Sequence, residues 1–379
     1  MTGNITRRGA HSWRLKYEAA ERDPATGRRN TRTLTIRGTK KTAQGELTRL
    51  LAEVDRGISV DPSKVTVAEY LRAWLDGADG LSPKTAERYR QLAEQQVIPH
   101  LGVTALQKLR PAQVEAWHGI LLKSGGKDGR PLSARTVGHA HRVLHRALAR
   151  AAKSEIVSRN VASVISPPRV DAAEIRILAP DQIGELLRRL EWHPLHALAV
   201  VAIGTGMRRG ELCALAWGAI DLDAAAIRVE RSTEETATGT RMKAPKTRHG
   251  RRLICLPANV VTALRSHRVQ QLERRFALGA GALKDDDLAF TTPTGLPLSP
   301  DNLSRDWARA VRARKLPATT FHALRHLHAS ALIACGIDVL TISRRLGHAS
   351  PTITLAVYGH MFSNTDAKAA EAIEAAMTG

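Results

Sequence analysis

Basic residues outnumber acidic ones along the whole of this chain: residues 1–60 carry 13 against 6, residues 61–169 carry 17 against 9, and residues 170–379 carry 27 against 21. Any fold built from it must turn unpaired cations outward in every part, because a charge without a partner is too costly to bury. A basic tail on a neutral body is thereby excluded. The net charge of +21 calls for a partner with many closely spaced anions, and a nucleic-acid backbone neutralises many cations at once. With 379 residues, 43% of them hydrophobic, the chain has material for two or three cored domains. Its longest apolar run, Ala197 to Ile203, is far too short to cross a bilayer. The residues after Arg7 and Arg8 lack the apolar stretch of a signal peptide. Cys213, Cys255 and Cys335 form no CxxC pair, which argues against a disulfide framework or a cysteine zinc site and fits a reducing cytoplasm.

Residues 11–37 alternate as strands do, with Trp13, Leu15 and Tyr17 on one side and Arg14, Lys16 and Glu18 on the other. Asp-Pro-Ala-Thr-Gly then reads as a turn before Thr33, Leu34 and Ile36, and Thr42 to Asp55 has helical spacing. A small sheet backed by one helix is expected over residues 1–60, its open face presenting Arg14, Lys16, Arg29, Arg32 and Arg37 to a DNA groove. Helical patterns around Val67–Leu75, Ser82–Val97, Pro111–Lys123 and Ser133–Lys153 make residues 65–165 a helical bundle. The longest of these helices carries Arg135, Arg142, Arg146 and Arg150, nearly all of one sign and without acidic partners a turn away, which favours phosphate contact. Ser166-Pro167-Pro168-Arg169 opens a linker over residues 166–176, and residues 177–379 form a last domain. In that domain helices are expected at Asp181–Leu190, Leu195–Gly204, Gly210–Trp217, Leu303–Arg314, Thr320–Cys335, Val339–Leu346 and near Thr365–Met377, with strands at Ala226–Arg231 and Arg251–Leu256.

Three clusters in the last domain carry chemistry. Gly206 and Gly210 bracket Arg208 and Arg209 at a helix start, where free N–H groups and fixed cations make an anion site. His322 and Arg325 lie three apart and share a helix face. Leu346-Gly347-His348 is followed ten residues after its histidine by Tyr358, in a segment of little periodicity. His322 and His326 also have the i, i+4 spacing of a zinc pair, but Arg325 stands where a general base would be, and a fixed cation beside a dication is unfavourable.

Taken together, these clusters resemble the tyrosine recombinase (phage integrase) family, whose signature is Arg, Lys, His-x-x-Arg, His or Trp, and Tyr in that order. The matching positions are Arg208, Lys246, His322, Arg325, His348 and Tyr358, with Lys243 an alternative to Lys246 on the same hairpin. The resemblance implies a mainly α fold with small β-sheets (α+β). It also implies a multidomain DNA clamp: an amino-terminal arm-type DNA-binding domain over residues 1–60, a helical, SAM-like core-binding domain over 65–165 and a mixed α/β catalytic domain with a tail helix. By the same resemblance Tyr358 attacks a DNA phosphodiester, Arg208 and Arg325 clamp the phosphate, His322 takes the tyrosine proton, His348 donates to the phosphate and Lys246 protonates the leaving oxygen. No metal and no cofactor are implied. Expected partners are double-stranded DNA attachment sites, a homotetramer on two sites, and a directionality factor with a host DNA-bending protein. The expected setting is the bacterial cytoplasm, at the nucleoid. Arg14, Lys16, Arg32, Arg142 and Arg146 are the expected DNA contacts outside the catalytic domain. A phage or integrative-element integrase fits the basic amino-terminal sheet. A chromosome-dimer resolvase, a transposon recombinase, a relaxing topoisomerase of the same chemistry and a non-catalytic DNA-binding regulator are the competing readings.

Overall fold

The computed structural model describes residues 3–22, 29–55, 63–171, 180–244, 248–362 and 366–378. Its contacts divide the chain into two units, Met1–Ala172 and Ala173–Gly379.

In the first unit, β1 (Gly3–Gly9), β2 (Ser12–Arg22) and β3 (Arg29–Arg37) form an antiparallel sheet in that order, and α1 (Lys40–Asp55) covers one face. Period-2 alternation turns Leu15 and Tyr17 inward against Ala43, Leu47 and Val54 of the helix. Arg14 and Lys16 point the other way, and Lys16 pairs with Thr33 and Arg14 with Thr35 across the sheet. Arg32 does not join them. Its partner is Tyr17, so it shares the helix side with Leu34 and Ile36 and is half-buried. The expectation that Arg32 lies on the open face fails on parity, since odd-numbered positions of β3 face outward and residue 32 is even.

The helical part of this unit starts with α2 (Val67–Asp76), whose cap Thr66 accepts from the Glu69 N–H while Glu69 reaches back to the Thr66 N–H. After it, α3 (Pro83–Leu92) runs through a π turn at Ala93–Val97 into α4 (Ile98–Leu101). Pro99, the second residue of α4, has no N–H for the ladder, and the loosened turn ends two residues before it. Next come α5 (Pro111–Ser124) and α6 (Ala134–Lys153), the latter capped by Ser133. Trp117, Leu121, Val137, Leu144 and Leu148 are buried among these helices, and the Trp117 indole donates to the Gln96 carbonyl at 2.7 Å. The polar face of α6 leaves Arg135, Arg142, Arg146 and Arg150 exposed in one stripe. Arg146 lies over the ring of Tyr89 on α3 and donates to its hydroxyl.

The second unit contains α7 (Pro180–Arg189), α8 (His196–Thr205), α9 (Arg209–Cys213), β4 (Ile220–Asp221), β5 (Ala226–Val229), β6 (Ser232–Thr236), β7 (Gly239–Lys243), β8 (Arg252–Cys255) and α10 (Ala258–Ala277). It closes with α11 (Pro300–Ala313), α12 (Ala323–Ala334), α13 (Val339–Leu346), α14 (Pro351–Tyr358) and α15 (Asp366–Thr378). The sheet β4-β5-β8 and the hairpin β6-β7 are its only described strands. α8 is apolar on nearly every side because α10 and α12 both pack on it. Leu198, Val201, Leu212, Ile254, Trp307 and Leu324 lie in the resulting core. The helix expected over Gly210–Trp217 ends at Cys213, and Trp217 instead enters a short turn whose indole donates to Gln271 of α10. None of the described helices is long and apolar enough to cross a membrane.

Candidate active site

The site lies wholly within the second unit. Gly206 ends α8 with φ +64°, the left-handed conformation glycine adopts without strain. A β-carbon there would meet the His328 ring at 2.6 Å, so the close packing requires glycine as well. This turn delivers Arg208 to the start of α9. Its backbone N–H and guanidinium both donate to Glu211, each at 2.8 Å, and its other terminal nitrogen donates to the Gly347 carbonyl at 2.7 Å. Glu211 is 3% exposed and also receives Arg252 at 2.9 Å. Burial alone would raise its pKa, but the bonds and charges of Arg252 and Arg208 hold it below the ordinary carboxylate value.

Arg325 rises from the first turn of α12 and is 4% exposed. It donates to the Gly206 carbonyl at 2.6 Å and to the Leu346 carbonyl at 2.8 Å. The two arginines are therefore tied to the same pair of loops, Gly206–Arg208 and Leu346–His348. Burial and the charge of Arg208 push the Arg325 pKa down to about 9, which leaves it cationic at pH 7. Gly347, with φ +66°, caps α13, and a β-carbon on it would meet Arg252 at 2.8 Å and the His249 carbonyl at 3.0 Å. His348 follows, its Nδ1 2.8 Å from the hydroxyl of the fully buried Thr354. Burial, then Arg325 and Arg208, push the His348 pKa down to about 4, so its ring is neutral at pH 7.

Tyr358 is the last residue of α14 rather than part of an open, aperiodic segment, and it is 2% exposed. Ala329, Ile333, Ile342 and Leu346 surround it, and burial pushes its pKa up to about 12. Its hydroxyl lies 2.7 Å from His326 Nδ1. His322, the residue expected to take the tyrosine proton, stands one turn earlier, its ring edge-on to that of His326 at 5.0 Å. His322 is largely exposed in surface area, yet the protein packed about its ring, then His326 and the nearby arginines, push its pKa down to about 4. His326 was visible in the sequence as half of a zinc-like spacing, and its hydroxyl partner, 32 residues further on, was not.

Lys246 lies outside the described residues. Lys243 ends β7, and its Nζ is 2.6 Å from the carboxylate of Glu234, which is 8% exposed. Glu235 of the same strand accepts from Ser299 and from the Asp301 N–H at the start of α11. Arg209 is held on α11 as well, by Asp301 and Ser304. No group of three or more histidines, cysteines and carboxylates able to hold a metal ion occurs among the described residues. Lys16 is exposed and Arg14 half-buried on the open face of the amino-terminal sheet, and Arg142 and Arg146 are exposed on α6.

A model of the phage integrase family matches residues 176–365, and a model of the phage integrase N-terminal SAM-like domain matches residues 66–122. An integrase of Streptomyces ambofaciens is 31% identical over 334 residues, covering 84% of this chain and 82% of that protein. A XerC-like tyrosine recombinase of Caldanaerobacter subterraneus is 25% identical over 358 residues, covering 88% of this chain and 89% of that protein. The Tn1549 transposon integrase, solved in complex with transposon right end DNA, has the same fold, with a TM-score of 0.69 at 23% identity over 82% of this chain and 99% of that one.

Proposed function

Because this chain belongs to the phage integrase family of tyrosine recombinases, enzymes that cut and rejoin DNA, we propose that it integrates a phage or an integrative element through a 3′-phosphotyrosyl intermediate. The Tyr358 oxygen attacks the phosphorus, the bond to the 5′-oxygen breaks, and a free 5′-hydroxyl remains. One observation carries this reading. Arg208 and Arg325 are both held by carbonyls of the loop that bears His348, Arg325 also by the Gly206 carbonyl of the loop that delivers Arg208, and Arg325 neighbours the Tyr358 hydroxyl.

Two cations held in this way meet the two nonbridging oxygens, where charge builds up in the transition state, without reorganising as it forms. With the Thr354 hydroxyl as donor to Nδ1 at 2.8 Å, the neutral His348 carries its proton on Nε2 and donates it to the phosphate. His322, among the arginines, is a second polar contact to the same group. Lys243 is tied to Glu234, and the acid assigned to the leaving 5′-oxygen is Lys246. The phosphotyrosyl bond keeps the energy of the bond it replaces, so rejoining needs neither ATP nor a cofactor.

Exchange between two duplexes takes four cleavages, hence a homotetramer on two double-stranded attachment sites. The outward-facing pair Arg14 and Lys16 on a three-stranded sheet suits accessory arm sites, and the exposed stripe of α6 suits phosphate contact at the core site. A directionality factor and a host bending protein complete the assembly in the bacterial cytoplasm, at the nucleoid. The test is recombination between two plasmid-borne attachment sites from the element that encodes the protein, in EDTA and without ATP, with host extract added. Wild type yields recombinant plasmid and Tyr358→Phe yields none; product from the phenylalanine variant would overturn the reading.

A further inference from the structure

We propose that His326 is the base that takes the proton from Tyr358, a catalytic residue in addition to the Arg, Lys, His, Arg, His and Tyr of the site. The inference rests on Tyr358 being the nucleophile, as set out above. Its ground is geometric: Nδ1 of His326 is 2.7 Å from the Tyr358 oxygen, within direct proton-transfer distance, and the rings meet edge-on at 5.6 Å. The ring is positioned by the backbone, since His326 directly follows Arg325 on α12 and its carbonyl accepts from Ser330.

The protonation states agree with this arrangement. Around His326 stand His322 and Arg325 of its own helix, Tyr358 of α14 and His348 of the preceding loop. Burial, then the charge of Arg325, hold its pKa below the ordinary histidine value, so the ring is neutral at pH 7, and as the Nε2–H tautomer it accepts the tyrosine hydroxyl through Nδ1. A tyrosine with a pKa near 12 is phenolate in only about one molecule in 10⁵ at pH 7, so attack needs an acceptor for its proton. In cleavage the hydroxyl proton passes to Nδ1 as the oxygen bonds to phosphorus, and the bond from phosphorus to the 5′-oxygen breaks with its electron pair leaving on that oxygen. In rejoining, the 5′-hydroxyl attacks, the tyrosine oxygen leaves, and the proton returns to it from His326.

The experiment is single-turnover formation of the covalent adduct on attachment-site DNA between pH 4.5 and 8.5, with wild type, His326→Asn, His322→Asn and Tyr358→Phe. Asparagine places an oxygen near the position of Nδ1, so it keeps the contact without being able to take the proton. His326→Asn is expected to bind DNA as wild type does, to lose about 100-fold in rate, and to lose the acid limb of the pH profile. His322→Asn is expected to keep that limb. A wild-type rate and profile for His326→Asn, or loss of the limb in His322→Asn alone, would overturn the proposal. An adduct with Tyr358→Phe would overturn the nucleophile instead. Should His326→Asn fail to bind DNA, ¹⁵N-histidine spectra of wild type and Tyr358→Phe decide: the proposal requires one Nδ1 resonance to shift, and unchanged spectra contradict it.

Discussion

Thr354 holds His348: the two side chains meet at 2.8 Å across Nδ1, and the threonine is wholly buried. This bond selects which nitrogen of His348 carries its proton and where that proton points. Thr354→Val removes the hydroxyl with little change in shape. We expect DNA binding to persist and the rate of adduct formation to fall about tenfold, the equivalent of one ordinary hydrogen bond. Thr354→Ser should restore most of the rate. Single-turnover cleavage measures both, and an unchanged rate for the valine variant would show that the bond has no part in orienting His348.

Glu211 compensates two cations at once, Arg208 and the 7% exposed Arg252. Glu211→Ala leaves Arg252 without its carboxylate partner, and the unfolding free energy should drop by about 3–5 kcal/mol. Because the folded-state pKa of Glu211 is lowered, its contribution is complete above the ordinary carboxylate pKa and is lost as pH falls through the folded value. Urea unfolding at neutral and acidic pH measures this, and a midpoint that the substitution leaves in place would contradict it.

The helical part of the first unit buries an imidazole pair, His118 Nε2 to His141 Nδ1 at 3.1 Å. Burial, then His118 and His145, push the His141 pKa down to about 4, and burial lowers that of His118. The unfolded chain therefore binds protons that the folded one refuses, and stability falls as pH drops from the ordinary histidine value toward 4. The loss should be about 2 kcal/mol, and His141→Leu should flatten the pH dependence. An equally steep dependence in that variant would place the sensitivity elsewhere.

Arg14 and Lys16 face outward, whereas Arg32 lies opposite Tyr17 on the helix side. Replacing Arg14 and Lys16 with alanine should weaken arm-site binding and reduce its salt dependence, without lowering the melting temperature. Arg32→Ala should instead lower the melting temperature. Fluorescence anisotropy at several salt concentrations and a thermal melt separate the two, and equal effects on binding would return Arg32 to the open face.

Much of this arrangement is legible in the sequence because its elements end on strong local signals. Ser133, Pro83 and Pro111 start helices, Gly206 and Gly347 stop them, and the chemical residues sit directly beside those glycines. α10 gives no such signal. Its buried stripe is Val260, Leu264, His267 and Gln271, half of it polar, with His267 bonded to the Ala289 carbonyl and Gln271 to that of Leu288. A helix satisfied by distant backbone carbonyls does not display an apolar period. The same limit hid the partners of Tyr358, His348 and His141, which are set by packing between helices, whereas the parity of Arg32 was there to be counted.

The central claim is that Tyr358 carries out strand transfer without a metal ion. Its most direct test is trapping an SDS-stable protein–DNA adduct on attachment-site DNA in EDTA, with wild type beside Tyr358→Phe. The account predicts an adduct with wild type only, joined through Tyr358 to the 3′-phosphate at the crossover point. An adduct that survives Tyr358→Phe, or one that maps to another residue, would contradict it.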